Sequence, residues 1–408
     1  MAGRKPKDPN KRRDYNQGSL FWDEARERWC ASFSYKDPAT GARRYRRKFG
    51  KGKGALNDWL DEMKGMKRAG KSLDPKSAMI SDWMPIWLAD YKKSIRPTTR
   101  ASYDDNIKRV IIPEIGSLKI REITPHDIQA FIGRIEKKYS PRGVQYARGI
   151  LSQSLKDAEE DGLIDRNPVR GKKTRGPRVP KPEIFAPESE EVQKFLEAAK
   201  QTYFYHYFLI LASTGCRRGE GLGLRWSDFD FDSAEGYGAI SIQRGVIYTK
   251  ETGVAFSEPK TRAGKRRIKL PTDVMDELKA HRLSQKELKL KNADVWQDQG
   301  LCFPVQDGGI QNPDNIENAF QRIMKAAGLG KWIEVDGKKN RFDAAWRLHD
   351  LRHAHASDLF AAGWDAEAVR ERLGHEDVAI TLQIYAHVRA SVQKRMAEGL
   401  SGKYVMKA

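Results

Sequence analysis

LHDLRH (348–353) and LGHEDVAITLQIYAHV (373–388) are the stretches whose reading decides what kind of chain this is. Five of its eight histidines, His349, His353, His355, His375 and His387, fall within the last 60 residues. Any one histidine is ordinarily a helix cap or a core residue, so it is the clustering that signals chemistry. His349 and His353 stand four apart on an expected helix, as in zinc proteases. Asp350, however, occupies the place of that motif's glutamate, and Arg352 would set a cation beside the metal. The three cysteines (Cys30, Cys216, Cys302) show no CxxC spacing, which argues against a zinc site and for a reducing compartment. No metal is expected.

Two further segments precede these, TGCRRGE (214–220) and PKT (259–261). In order and spacing the four together resemble the tyrosine recombinase family, the phage-type integrases. The resemblance covers about residues 183–390. It reaches more weakly into the middle of the chain, which looks like a core-binding domain, and into the N-terminal part, which looks like an arm-binding domain. It implies six catalytic positions. Arg217, directly after the TGx turn, matches the first arginine, and Arg352 matches the second, with His349 ahead of it in the HxxR unit. Lys260 matches the lysine of a loop between strands, although Lys265 is close by in the same loop. His375 matches the LGH histidine and Tyr385, in YAHV, the nucleophile.

Elementary chemistry asks for these residue types independently. A phosphodiester gains negative charge on its non-bridging oxygens as a nucleophile attacks, and two arginines can clamp those oxygens while staying cationic. A tyrosine with pKa near 10 is a poor nucleophile at neutral pH, so a cationic field and a base such as His349 must help it. His375 adds a hydrogen bond to the phosphate, and a lysine can protonate the departing 5′-oxygen. No cofactor is expected: the resemblance implies a 3′-phosphotyrosine that conserves bond energy without ATP. It further implies double-stranded DNA partners (attachment sites and arm sites), a homotetramer on the DNA, and accessory DNA-bending or excisionase proteins.

The formal net charge of +20 fits a polyanionic partner. Residues 1–75 hold 20 Lys and Arg against 10 Asp and Glu. No apolar run approaches the roughly 20 residues that span a bilayer, so the expectation is a soluble protein working on host DNA in the cytoplasm, in a bacterial host. GMKRAGKS (65–72) satisfies a phosphate-loop pattern, but an amphipathic helix precedes it where a buried strand is required.

The fold expected is multidomain and mainly α with small β-sheets, an α+β chain. Residues 1–75 form an arm-type DNA-binding domain in which a three-stranded meander (18–49) is covered by a helix from about 55 to 68. Residues 76–169 form a helical core-binding domain, with helix starts at Pro97-Thr98, Thr124-Pro125 and Ser140-Pro141. Residues 170–182 form a basic linker, and residues 183–408 the catalytic domain. In the last of these, AISIQRGVIYT and KRRIKL are strands flanking a loop. Trp83, Trp87 and Trp226 are expected in cores.

Overall fold

The computed structural model describes residues 18–24, 27–36, 43–50, 52–68, 78–171, 174–180, 185–231, 237–259, 262–335, 338–376, 378 and 381–382. Lys260, Tyr385 and His387 lie outside the described residues. By packing, the chain divides into two compact units, Met1–Pro180 and Lys181–Ala408.

The first unit begins with the antiparallel meander β1 (Ser19–Asp23), β2 (Arg28–Lys36) and β3 (Arg43–Gly50), followed by α1 (Gly54–Arg68). Alternation along β2 sends Ala31, Phe33 and Tyr35 to one face, where Leu56, Trp59, Leu60 and Met63 of α1 bury them. Ser32 and Ser34 therefore face the other way, paired with Arg47 and Tyr45 of β3, and Tyr45 is 57% exposed. Gly65, which opens the phosphate-loop pattern, lies in the last turns of α1, so that pattern starts inside a helix.

The rest of this unit is helical: α2 (Ile80–Asp90), α3 (Pro97–Asn106), a π turn (Ile107–Ile111), α4 (Ile112–Ile115), α5 (Pro125–Glu136) and α6 (Pro141–Glu160). Hydroxyl caps set α5 and α6. The Thr124 side chain accepts from the Asp127 N–H, and that of Ser140 from the Gly143 N–H, each before a proline at the first helical position. A separate apolar cluster includes Trp83, Trp87, Ile128, Phe131 and Leu151. Both indoles are satisfied within it, Trp83 donating to Ser154 Oγ and Trp87 to Asp157 Oδ2, each at 2.7 Å.

The second unit carries α7 (Ser189–Ala199), α8 (Tyr205–Thr214) and α9 (Arg218–Leu222), then β4 (Phe229–Asp230), β5 (Gly238–Ile242), β6 (Gly245–Thr249), β7 (Gly253–Ser257) and β8 (Arg266–Leu270). After these come α10 (Thr272–Lys291), α11 (Pro313–Ala326), β9 (Gly330–Val335), β10 (Lys338–Ala344), α12 (Asp350–Ala361) and α13 (Ala366–Leu373). Strands pair as β4-β5-β8, β6-β7 and β9-β10, all antiparallel. The architecture is thus α+β, with helices dominant.

Two local expectations need correction. AISIQRGVIYT is not one strand but two, β5 pairing with β4 and β8 and β6 with β7, and between them Arg244 turns its side chain onto the buried Asp228 carboxylate and the Gly223 carbonyl. Trp226 is only half-buried. Its indole donates to Gln285 Oε1 at 2.5 Å, and the Arg282 guanidinium lies 5.5 Å over the ring.

Candidate active site

Two helices end on glycines in the left-handed region, α8 at Gly215 (φ +63°) and α13 at Gly374 (φ +67°). Both ends are too tight for a side chain: a Cβ on Gly215 would come within 2.6 Å of Leu373, and one on Gly374 within 2.6 Å of the Ala263 carbonyl. Helix ends leave carbonyls without partners inside the helix and carry partial negative charge. Arg352, in the first turn of α12, uses that charge at both ends. Its Nη1 donates to the Gly215 carbonyl at 2.5 Å and its Nη2 to the Leu373 carbonyl at 2.7 Å. The side chain is held in the interior, with the residue 2% exposed.

Arg217 approaches the same place from the other side of the Gly215 turn. Its Nη2 reaches the Gly374 carbonyl at 3.4 Å, and its Nη1 meets Glu220 Oε1 at 2.7 Å. Glu220 also accepts the Arg217 backbone N–H at 2.9 Å, which caps α9, and Arg266 Nη2 at 3.0 Å. Burial alone would raise the Glu220 carboxyl, but Arg266 and then Arg217 hold it below the usual value. Arg352 is pulled down to about 9 by burial and by its neighbours Arg217 and Arg266, so it keeps its charge at neutral pH. Two guanidinium groups therefore share one carboxylate, and a third, that of Arg352, rests on helix-end carbonyls beside them.

The histidines complete this ground. His375 is buried, and its Nδ1 lies 2.8 Å from Thr381 Oγ1. Burial, then Arg352 and Arg217, push its pKa down to about 3, which keeps it neutral. His349 sits just before α12 with its ring 5.2 Å from that of His353, edge to face. Packing by its neighbours and the charges of His353, Arg352 and Arg217 lower its pKa, although its outer edge meets solvent. Beside His349 and Arg352 a cavity of about 260 Å³ has Leu211, Leu348 and Leu351 in its wall. His355, by contrast, faces inward, accepting from Arg372 Nε at 3.0 Å, and burial lowers it to about 3. It is a structural histidine.

Of the six expected positions, the structure brings Arg217, His349, Arg352 and His375 to one place. Lys260 falls between β7 and β8, outside the described residues, as does Tyr385 beyond Leu382. The sequence assigned no role to Glu220, although its spacing allows an ion pair with Arg217. That pair exists, but the carboxylate is 8% exposed and shared with Arg266. The signal was the three-residue spacing of Arg217 and Glu220 at a helix start. Among the described residues no three His, Cys, Asp or Glu side chains come together as a metal site.

Residues 188–391 match the phage integrase family, and residues 79–135 match the N-terminal SAM-like domain of phage integrases. The chain belongs to the phage integrase family, the tyrosine recombinases. It is accordingly a site-specific recombinase by family. A tyrosine recombinase XerC-like protein of Caldanaerobacter subterraneus subsp. tengcongensis is 27% identical over 352 residues, covering 83% of this chain and 86% of that one. The ICEBs1 integrase of Bacillus subtilis is 27% identical over 332 residues, covering 80% and 84%. Among solved structures, the Tn1549 transposon integrase in complex with a circular intermediate DNA is similar with a TM-score of 0.61 at 18% identity, over 78% of this chain and 99% of that one. A lambda integrase tetramer bound to a Holliday junction gives a TM-score of 0.52 at 18% identity, over 92% and 96%. The two structures share this integrase's fold.

Proposed function

We propose that this integrase integrates a mobile element by cutting and rejoining DNA through a 3′-phosphotyrosine on Tyr385. The observation that carries the reading is the charge count around Glu220. Arg217, Arg266 and Arg352 bring three positive charges to one carboxylate, and the buried residue among them that faces Leu373 and Gly215 has only neutral carbonyls as partners. Such a site favours an added anion, and a DNA phosphate bears the charge that developing transition-state oxygens would increase.

In the proposed step the phenolic oxygen of Tyr385 attacks phosphorus while His349, neutral at working pH, takes the phenolic proton. Arg217 and Arg352 hold the non-bridging oxygens, and His375 adds a hydrogen bond. The bond from phosphorus to the 5′-oxygen breaks, and Lys260, or Lys265 in the same loop, gives that oxygen its proton. Attack by another 5′-hydroxyl runs the step in reverse and joins new strands. The arriving phosphate would also lift the two histidines, because its negative charge opposes the arginines that lower them.

On this reading residues 1–75 hold arm sites, 76–169 and the 170–182 linker hold the core site, and 183–408 perform the chemistry. A tetramer on DNA brings two sites together. The exposed Tyr45 and Arg47 of β3 support the first assignment, since a sheet with cations and polar groups on its open face fits a major groove.

The test is incubation of the purified protein with nicked duplexes carrying the attachment site of the encoding element, followed by denaturing gels. A covalent adduct in wild type that vanishes in Tyr385→Phe is the expected result. Tight binding without any adduct overturns the mechanism and leaves a DNA-binding regulator.

A further inference from the structure

Arg266 belongs to none of the motifs that point to the site, yet it is among the most constrained cations in the molecule. It opens β8 with its side chain 6% exposed, and its fork is spread over three acceptors. Nη2 donates to Glu220 Oε2 at 3.0 Å, Nε to the Arg372 carbonyl at 2.8 Å and Nη1 to the Gly264 carbonyl at 3.2 Å. A buried arginine is costly unless its donors are matched, and here each of the three guanidinium nitrogens has an acceptor.

Two consequences follow from these contacts. The first is electrostatic. With Glu220 and Arg217 alone, the pair would be self-neutralised, and an incoming phosphate would compete with the carboxylate for the guanidinium. Arg266 on the other carboxylate oxygen draws that negative charge toward itself. The second is mechanical. The Arg372 carbonyl belongs to the last turn of α13, and Arg266 Cδ lies 3.0 Å from where a Cβ on Gly374 would stand. The start of β8 is therefore pressed against the helix end whose carbonyls hold Arg352 and Arg217.

We infer that Arg266 is a positioning residue for recombination: it occupies Glu220 so that the Arg217 charge remains available to an anion, and it fastens β8 to the carbonyl frame beneath both arginines. The inference rests on the proposed reading that Arg217 and Arg352 grip the scissile phosphate. It assigns Arg266 no contact with DNA.

The experiment compares single-turnover adduct formation by wild type, Arg266→Gln, Glu220→Gln and the double variant. Each is given nicked attachment-site duplexes whose scissile linkage is either a phosphodiester or an uncharged methylphosphonate. Arg266→Gln should lose about 10²-fold on the phosphodiester, the scale of one lost oxyanion contact. The double variant should recover roughly tenfold of that loss, because the carboxylate that captures Arg217 is gone. On the methylphosphonate, which needs less positive charge, Arg266→Gln should approach wild type. Equal losses on both substrates together with no recovery in the double variant would overturn the electrostatic role, and a wild-type rate would overturn both roles. If Arg266→Gln does not fold, Arg266→Lys keeps the charge but not the fork. A loss of about tenfold of similar size on both linkages, from the unfastened frame alone, is then expected, and a wild-type rate overturns the inference. Absence of any adduct in wild type on the phosphodiester would instead strike the proposed mechanism itself.

Discussion

The helical region of the first unit and the arginine site of the second treat buried polarity in opposite ways. Around Trp83, Trp87 and Phe131 the interior is apolar, and its few polar groups are closed in pairs, indole to Ser154 and indole to Asp157. Around Arg352 the interior holds positive charge in excess, balanced by one carboxylate and by helix-end carbonyls. The first arrangement lowers the energy of the folded chain. The second holds unbalanced charge in a fixed geometry, the form of order that suits a charged substrate.

Exchanging the sensitivities of the two regions would break this contrast. The largest effect is expected from Arg352→Ala. Adduct formation should fall about 10³- to 10⁵-fold, the range for arginines that stabilise phosphoryl-type transition states, while single-turnover kinetics should show DNA affinity reduced far less. A fall of less than tenfold would mean that the buried cation serves only the fold.

Phe131→Ala tests the other side. A fully buried ring in this cluster should cost about 3–5 kcal/mol of stability in a urea titration. Adduct formation by the fraction still folded should stay near wild type. Comparable damage to catalysis would show that the two regions are not separable in function.

Acid sharpens the comparison further. His355 and His375 have folded pKa values of about 3, below an unfolded value near 6.5. Their contribution to stability is therefore fully present above pH 6.5 and is lost as pH falls toward 3. At pH 5 each should weaken the second unit by up to about 2 kcal/mol relative to pH 7.5. His355→Gln should flatten that slope in urea titrations across pH. An unchanged slope would mean that His355 contributes none of it.

The smallest expected effect is that of Thr124→Ala. Removing the hydroxyl that caps α5 should cost about 1 kcal/mol by thermal melting, with no change in adduct formation.

Legibility in the sequence followed the same division. The caps at Thr124 and Ser140 could be read because a hydroxyl before proline is a local signal. The meander could be read because Ala31, Phe33 and Tyr35 alternate within one strand. Arg217, His349, Arg352 and His375 were marked by motif, and the structure places them together. Arg266 was not, because an arginine among KRRIKL has the same local pattern whether it points to solvent or into a charge network. Its partners Glu220 and Arg372 lie 46 and 106 positions away. Trp226 misled for the related reason that an aromatic's burial depends on what the fold lays across it, here Arg282 and Gln285. The break at Arg244 likewise depended on distant partners, since β5 pairs with β8 and β6 with β7.

Arg352 is anchored by main-chain carbonyls, not by neighbouring side chains. Side-chain drift along α8 and α13 can therefore continue for long evolutionary times without unseating it, as long as the two glycine ends stay in register. A single-residue insertion in either helix is another matter. Each added residue turns the helix end by about 100° and advances it by 1.5 Å, carrying the acceptor carbonyl away from the guanidinium. The seat of Arg352 itself should thus be insensitive to which side chains α8 and α13 carry and severely sensitive to changes in their length.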